Sequence, residues 1–280
     1  MTPPASTASP VPGPTGSPPA STTPSPLDAA LRDLGFVLAS LERHGVDYRS
    51  VPGAEETLLR LGALTDEVPR DSVYTYALRN PENAVRSFTE LPEEALFIRE
   101  VRTAGTALRP AVDALLEALA VPVDDPALAE LLDEATRGFS VFAQSLLSVK
   151  RNITPETFSG ELRPYFPPMT VGGQVLYAPG GAQMTPLLVD IVLIRPEPGD
   201  PQEEWYEQYL RENVPYLPAA YRAAGERARR HRPLLPRLVD EAVRHSPGTA
   251  RSPARSPDCG RSCGNCSASG CRTCDSPRPT

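Results

Sequence analysis

The chain has 280 residues and a formal net charge of −7, with 28 Lys+Arg against 35 Asp+Glu. Residues 27–245 carry all of that acidity and no cysteine, since the five cysteines fall after residue 246. A core of this sign lacks the clustered positive charge that tracks phosphates, so nucleic acid is excluded as a partner, and the core has no thiols for disulfides. No stretch approaches the ~18 apolar residues of a membrane span, and the N-terminus lacks the basic-then-apolar order of a secretion signal. The expectation is a soluble, cytoplasmic protein without a membrane partner.

Residues 1–26 hold nine of the 34 prolines among Ser, Thr, Ala and Gly, with no charged side chain. Such a segment has too little apolar surface to offset the entropy of ordering and reads as a disordered leader. From residue 27 the pattern becomes helical. Leu31, Leu34, Leu38 and Leu41 recur at helical spacing up to a stop at Gly45. Pro52-Gly53 opens a second helix, ending near Gly62, and Pro69-Arg70-Asp71 a third around Val73, Tyr76 and Ala77, closed by Asn80-Pro81. The longest element runs from Leu91-Pro92-Glu93-Glu94 to about Ala120. Its first-turn acids favour the helix dipole, and Pro110 predicts a kink. Asp124-Asp125-Pro126 caps another long helix reaching Lys150, and Thr154-Pro155-Glu156 starts a short one ending near Pro164.

The texture then changes. MTVGGQVLYAPGGAQM (residues 169–184) reads as a short hairpin or irregular Gly-rich loop returning to a buried helix, PLLVDIVLI. A turn over residues 196–201, an aromatic-bearing helix EEWYEQYLREN and a last helical stretch from Pro218 to His245 complete the core. The fold class is therefore all-α, a single helical domain over residues 27–245 between a leader (1–26) and a disordered tail (246–280) rich in Cys, Arg and Ser.

Four groups could carry chemistry. Arg163 stands among Phe158, Leu162, Tyr165 and Phe166. A guanidinium in an aromatic setting can grip a planar carboxylate with two parallel hydrogen bonds, or it can pair with Glu161 as a structural ion pair. In APGGAQM (residues 178–184), glycines before a helix N-terminus allow close backbone approach to a ligand, or simply form a tight turn. His44, His231 and His245 share no metal-site spacing and read as surface or capping residues, and RARRHR (residues 227–232) as a solvated helix face. In the tail, Cys259, Cys263, Cys266, Cys271 and Cys274 form C-x-x-C pairs too close together to wrap a zinc ribbon. A zinc-binding appendage and a low-complexity extension of GC-rich coding origin both fit that tail.

The order AALRDLGFVLASLERHG, VPGAEETLL, SFTELPEEALFIREVR, ITPETFSGELRPYF, VGGQVLYAPGGAQMTPLLVD and VPYLPAAYRA resembles the monodechloroaminopyrrolnitrin synthase family. That family belongs to the indoleamine and tryptophan 2,3-dioxygenase-like haem superfamily, and the resemblance spans residues 28–245. It implies an indoleamine-dioxygenase-like helical bundle with haem b between helices. It also implies an oxidoreductase of specialised metabolism acting on a small-molecule substrate, tryptophan or a halogenated tryptophan. Arg163 then matches the residue that holds the substrate carboxylate, flanked by Phe158 and Tyr165. Gly180, Gly181, Ala182 and Gln183 match the loop close to the distal haem face. The resemblance expects the proximal histidine on a late helix downstream of Tyr216-Leu217-Pro218. Neither His231 nor His245 sits in a matching context, so the metal ligand is unassigned. A truncated or frame-shifted, non-catalytic homologue is the alternative reading.

Overall fold

The structure, a computed structural model, describes residues 25–178, 180 and 184–246. Residues 1–24 of the expected leader, Gly181, Ala182 and Gln183 of the Gly-rich loop, and the cysteine-bearing tail lie outside the described residues. Ser25 and Pro26, assigned to the leader, instead cap and open the first helix because the Ser25 side chain accepts the Asp28 N–H. The described residues up to Glu241 form one compact unit, and those from Ala242 on belong to a second. Described residues of the second unit are the end of the last helix and Ser246. Within the described residues the fold is all-α apart from one small hairpin, and none of their helices is long and apolar enough to cross a membrane.

Helix α1 (Pro26–Arg43) starts one residue before the expected Leu27, because Ser25 and Asp28 form a reciprocal capping box. Its buried Leu31 and Leu38 pack with Leu58 and Leu61 of α2 (Ala54–Thr65) in a first cluster. The predicted third helix is instead a single wide π-turn, Tyr74–Leu78. The carbonyls that would extend it are taken by side chains: Arg102 donates to Ala77 and Asn80, and the Asn80 amide donates to Tyr76. With its backbone acceptors committed elsewhere, the segment cannot propagate an α-ladder.

Helices α3 (Pro92–Ala118) and α4 (Pro126–Asn152) are 27 residues each, about 40 Å at 1.5 Å per residue. Helix α3 continues through the exposed Pro110, and α4 begins at the Asp125 cap. Gly138 lets their backbones close up, since a Cβ there would lie 2.6 Å from both the Ala107 carbonyl oxygen and the Ala111 methyl. The main core gathers Leu115, Leu119 and Leu128 from this pair with α6 (Pro186–Leu193), which buries Leu187, Leu188, Ile191 and Val192.

The hairpin is real: β1 (Met169–Val171) pairs antiparallel with β2 (Gln174–Leu176), Met169 opposite Leu176. Gly172 and Gly173 both have positive φ, +59° and +77°, as a two-residue turn of this hand requires. Side chains distant in sequence fasten it. The Tyr48 hydroxyl donates to the Thr170 carbonyl at 2.5 Å, and the Gly172 N–H donates to the Glu55 carboxylate at 2.7 Å. After α7 (Glu203–Asn213), the expected last stretch divides into α8 (Ala219–Ala228) and α9 (Leu234–His245). The basic run between them is only partly a solvated face. Arg229 pairs with Glu207, and Arg232 pairs with Glu197 and Asp240.

Candidate functional site

The segment TPETFSGELRPYF builds a corner by changing its helical pitch twice. Thr154 caps a first turn, Pro155–Thr157, which widens into a π-turn at Phe158–Leu162 and tightens into a 3-10 turn at Arg163–Tyr165. Pro164 dictates the change, because it has no N–H to continue an α-ladder. The two pitch changes turn Phe158, Tyr165 and Phe166 toward one aromatic cluster and leave Arg163 exposed at its rim.

Tyr165 stacks on Phe88 with centroids 4.7 Å apart, and Phe158 meets Phe97 at 5.6 Å. Phe166 meets Tyr76 and Phe88 edge-on, at 5.1 and 5.6 Å, and Phe36 closes the group at 4.5 Å from Phe88. These spacings are those at which aromatic quadrupoles attract. The outer face of Tyr165 carries Arg43, its guanidinium carbon 5.8 Å from the ring centroid, and the edge of His44. Ala178 packs against the same cluster, so the one described residue of the Gly-rich quartet, Gly180, follows two positions after it.

The Arg163 guanidinium donates to the Phe166 carbonyl. Among the described residues it meets no carboxylate, so the expected pair with Glu161 is not formed. A cation at the edge of a ring cluster, held by a single neutral acceptor, keeps donors available for a ligand carboxylate.

Beneath the corner lie two buried devices that the sequence analysis did not single out. Glu94 is fully buried and accepts from the Phe88 N–H (2.8 Å), the Thr89 N–H (2.6 Å), the Thr89 hydroxyl (2.7 Å) and the Tyr76 hydroxyl (3.1 Å). Burial, reinforced by this carboxylate, pushes the Tyr76 phenol up. Arg70 is 1 % exposed. It donates to the Pro167 and Leu176 carbonyls at 3.0 and 3.1 Å and pairs with Asp71 at 2.8 Å. Pro167 precedes β1 and Leu176 ends β2, so one guanidinium clamps both ends of the hairpin between the Arg163 corner and Gly180. The signals were an Asp-containing Pro-Arg-Asp turn and a second acid in a helix's first turn. Both look like ordinary caps until burial is known.

A cavity of about 660 Å³ opens on the other side of β2, lined by residues that include Tyr177, Tyr216, Arg211 and Arg222. Phe158, Arg163 and Tyr165 do not line it.

Haem b needs a strong axial donor, usually a neutral imidazole facing the porphyrin slot. All three histidines are exposed: His44 caps α1, His231 follows α8, and His245 ends α9. Burial pushes the phenols of Tyr74, Tyr76, Tyr216 and Tyr221 up. Among the described residues no group of three His, Cys, Asp or Glu could hold a metal ion. With all three histidines exposed, the described residues supply no buried imidazole for haem b and do not fit it on that ground.

The family described as monodechloroaminopyrrolnitrin synthase PrnB matches residues 26–251. The matched range extends from α1 past α9 and takes in the Arg163 corner, the hairpin and Gly180. A bundle of this topology, matched over most of its length, belongs to the monodechloroaminopyrrolnitrin synthase PrnB family, whose members are enzymes of specialised metabolism.

Proposed function

We propose that this PrnB-family chain binds tryptophan or a halogenated tryptophan at the Arg163 corner as part of an oxidoreductase. Arg163 holds the substrate carboxylate, while Phe158 and Tyr165 offer ring faces to the indole. Gly180, Gly181, Ala182 and Gln183 are the residues that the resemblance assigns to the distal pocket. The observation carrying this reading is the exposed Arg163 guanidinium, free of carboxylate partners among the described residues, on the rim of an aromatic cluster. Haem b is the cofactor that the resemblance implies. Because the described residues do not fit it, no step on iron is assigned to them.

The exposure of all three histidines favours a second reading, a homologue that binds the indole ligand without haem. Two measurements on the full chain separate these. Calorimetric titration with L-tryptophan, tryptamine and indole-3-propionate tests the corner. Binding should require the carboxylate, and Arg163→Ala should weaken it at least about tenfold, given ~1.5–3 kcal/mol for a charged hydrogen bond. Equal binding of tryptamine and tryptophan would remove Arg163 from the site. Titration with haemin then decides the cofactor: a saturable Soret band, shifted by tryptophan, supports the oxidoreductase, and its absence supports the haem-free binder.

A further inference from the structure

The 660 Å³ cavity lies between the end of α2, strand β2 and helix α7, and the Arg163 corner does not contribute to it. Its wall carries both signs of charge. Asp66 is neutralised by Arg222 at 2.6 Å, and Glu67 by Arg79 at 2.6 Å. What remains is one cation and one anion without an ionic partner among the described residues. Arg211 donates only to the Gln208 carbonyl oxygen, at 3.1 and 2.8 Å, and the Glu212 carboxylate accepts only from the Gln208 amide, at 2.6 Å. A neutral amide thus separates a guanidinium from a carboxylate on one wall.

Tyr216, 3 % exposed, is among the lining residues. Its hydroxyl oxygen accepts the Tyr177 N–H at 2.5 Å, but its own proton reaches no acceptor among the described residues. A buried donor without an acceptor, lining a cavity, is a group that a ligand can satisfy. A simple anion would meet Glu212, and a simple cation would meet Arg211. A ligand bearing both charges a few ångströms apart meets neither penalty.

We propose that this cavity is a second ligand site, taking a small zwitterion of the α-amino-acid class. Arg211 receives the carboxylate, Glu212 the ammonium, and Tyr216 donates to a polar side-chain atom of the ligand. The site is independent of the Arg163 reading.

The test uses the full chain and the non-aromatic proteinogenic L-amino acids as probes, one at a time, by ligand-observed NMR and calorimetry. At least one should bind, and Arg211→Gln and Glu212→Gln should each raise its Kd about tenfold or more. Both residues lie on the outer part of α7, and unchanged far-UV circular dichroism verifies that each variant is folded. Deamino and decarboxy analogues of the bound probe should lose affinity by a similar factor, and Arg163→Ala should leave it unchanged. Binding of none of the probes would overturn the proposal, as would binding that Arg211→Gln and Glu212→Gln leave intact, or loss with Arg163→Ala. Failure of the Arg163 site would appear separately, as loss of carboxylate-dependent tryptophan binding alone.

Discussion

Replacing Arg70 with Met tests how the candidate site is held. The guanidinium donates five hydrogen bonds, to both ends of the hairpin and to Asp71, and its side chain is 0 % exposed. Met occupies similar volume but leaves the Pro167, Leu176 and Asp71 backbone carbonyls without this donor. It also strands the Asp71 carboxylate, whose Oδ2 already has no partner. Breaking one side of a buried pair costs ~3–5 kcal/mol, so R70M should lose about 4 kcal/mol of a total that is typically ~5–15 kcal/mol. Removing the stranded charge as well, in R70M/D71L, should recover about 2 kcal/mol, since only the Pro167, Leu176 and Asp71 backbone carbonyls then lack this donor. Urea unfolding followed by far-UV circular dichroism, extrapolated linearly to water, gives both values. A loss below about 1 kcal/mol for R70M, or a double variant no better than the single, would refute the clamp.

Three further outcomes are expected. Gly138→Ala places a methyl 2.6 Å from the Ala107 carbonyl oxygen, a backbone atom that cannot swing away, so α3 and α4 must part. The cost should be ~1–3 kcal/mol, read as a lower Tm. Glu94→Gln keeps the shape but offers one acceptor oxygen in place of the carboxylate's two, so Tm should fall and near-UV signals from the Tyr76 cluster should change while far-UV helicity persists. Burial raises the carboxyl pKa of Asp190 above its ordinary 3.8 and that of Glu67 above 4.5, with Arg79 opposing the latter. The folded chain then holds these protons more tightly than the unfolded one. This contribution to stability is full below the ordinary values and is lost as pH rises through the raised ones. Asp190→Asn should therefore raise Tm at neutral pH and flatten that part of the Tm–pH curve, whereas an unchanged curve would contradict the burial argument.

Much of the helical frame was legible because capping and periodicity are local. Asp125, Thr154 and the two glycines of the hairpin turn each act within four residues, and each stands where the sequence put it, whereas Ser25, read as leader, caps the first helix with Asp28. The segment over 69–80 was misread because its fate is decided by Arg102, 22 residues beyond Asn80. The break between α8 and α9 was missed although Pro233 marks it, because the basic run around His231 kept a helical texture. At the candidate site, Arg163, Phe158 and Tyr165 came from a short motif, and their surroundings did not. Phe36, Phe88 and Phe97 come from three separate segments that only the tertiary fold assembles. The carboxylate Glu94 carried no signal distinguishing it from Glu93, its half-buried neighbour in the same first turn.

The fastenings of the hairpin have a consequence for the order in which the molecule assembles. The bonds from Tyr48, Glu55 and Arg70 to the hairpin and its flanks join residues 97 to 122 positions apart, while α3 and α4 meet through a short connection between Ala118 and Pro126. Closing a long loop is entropically slower than zipping neighbouring helices. The two long helices can therefore pair while the hairpin is still unmade, and the corner bearing Arg163 acquires its shape late, when the first seventy residues finally receive the strands. Any lesion that delays that closure would spare helix content and still leave the Arg163 corner unformed.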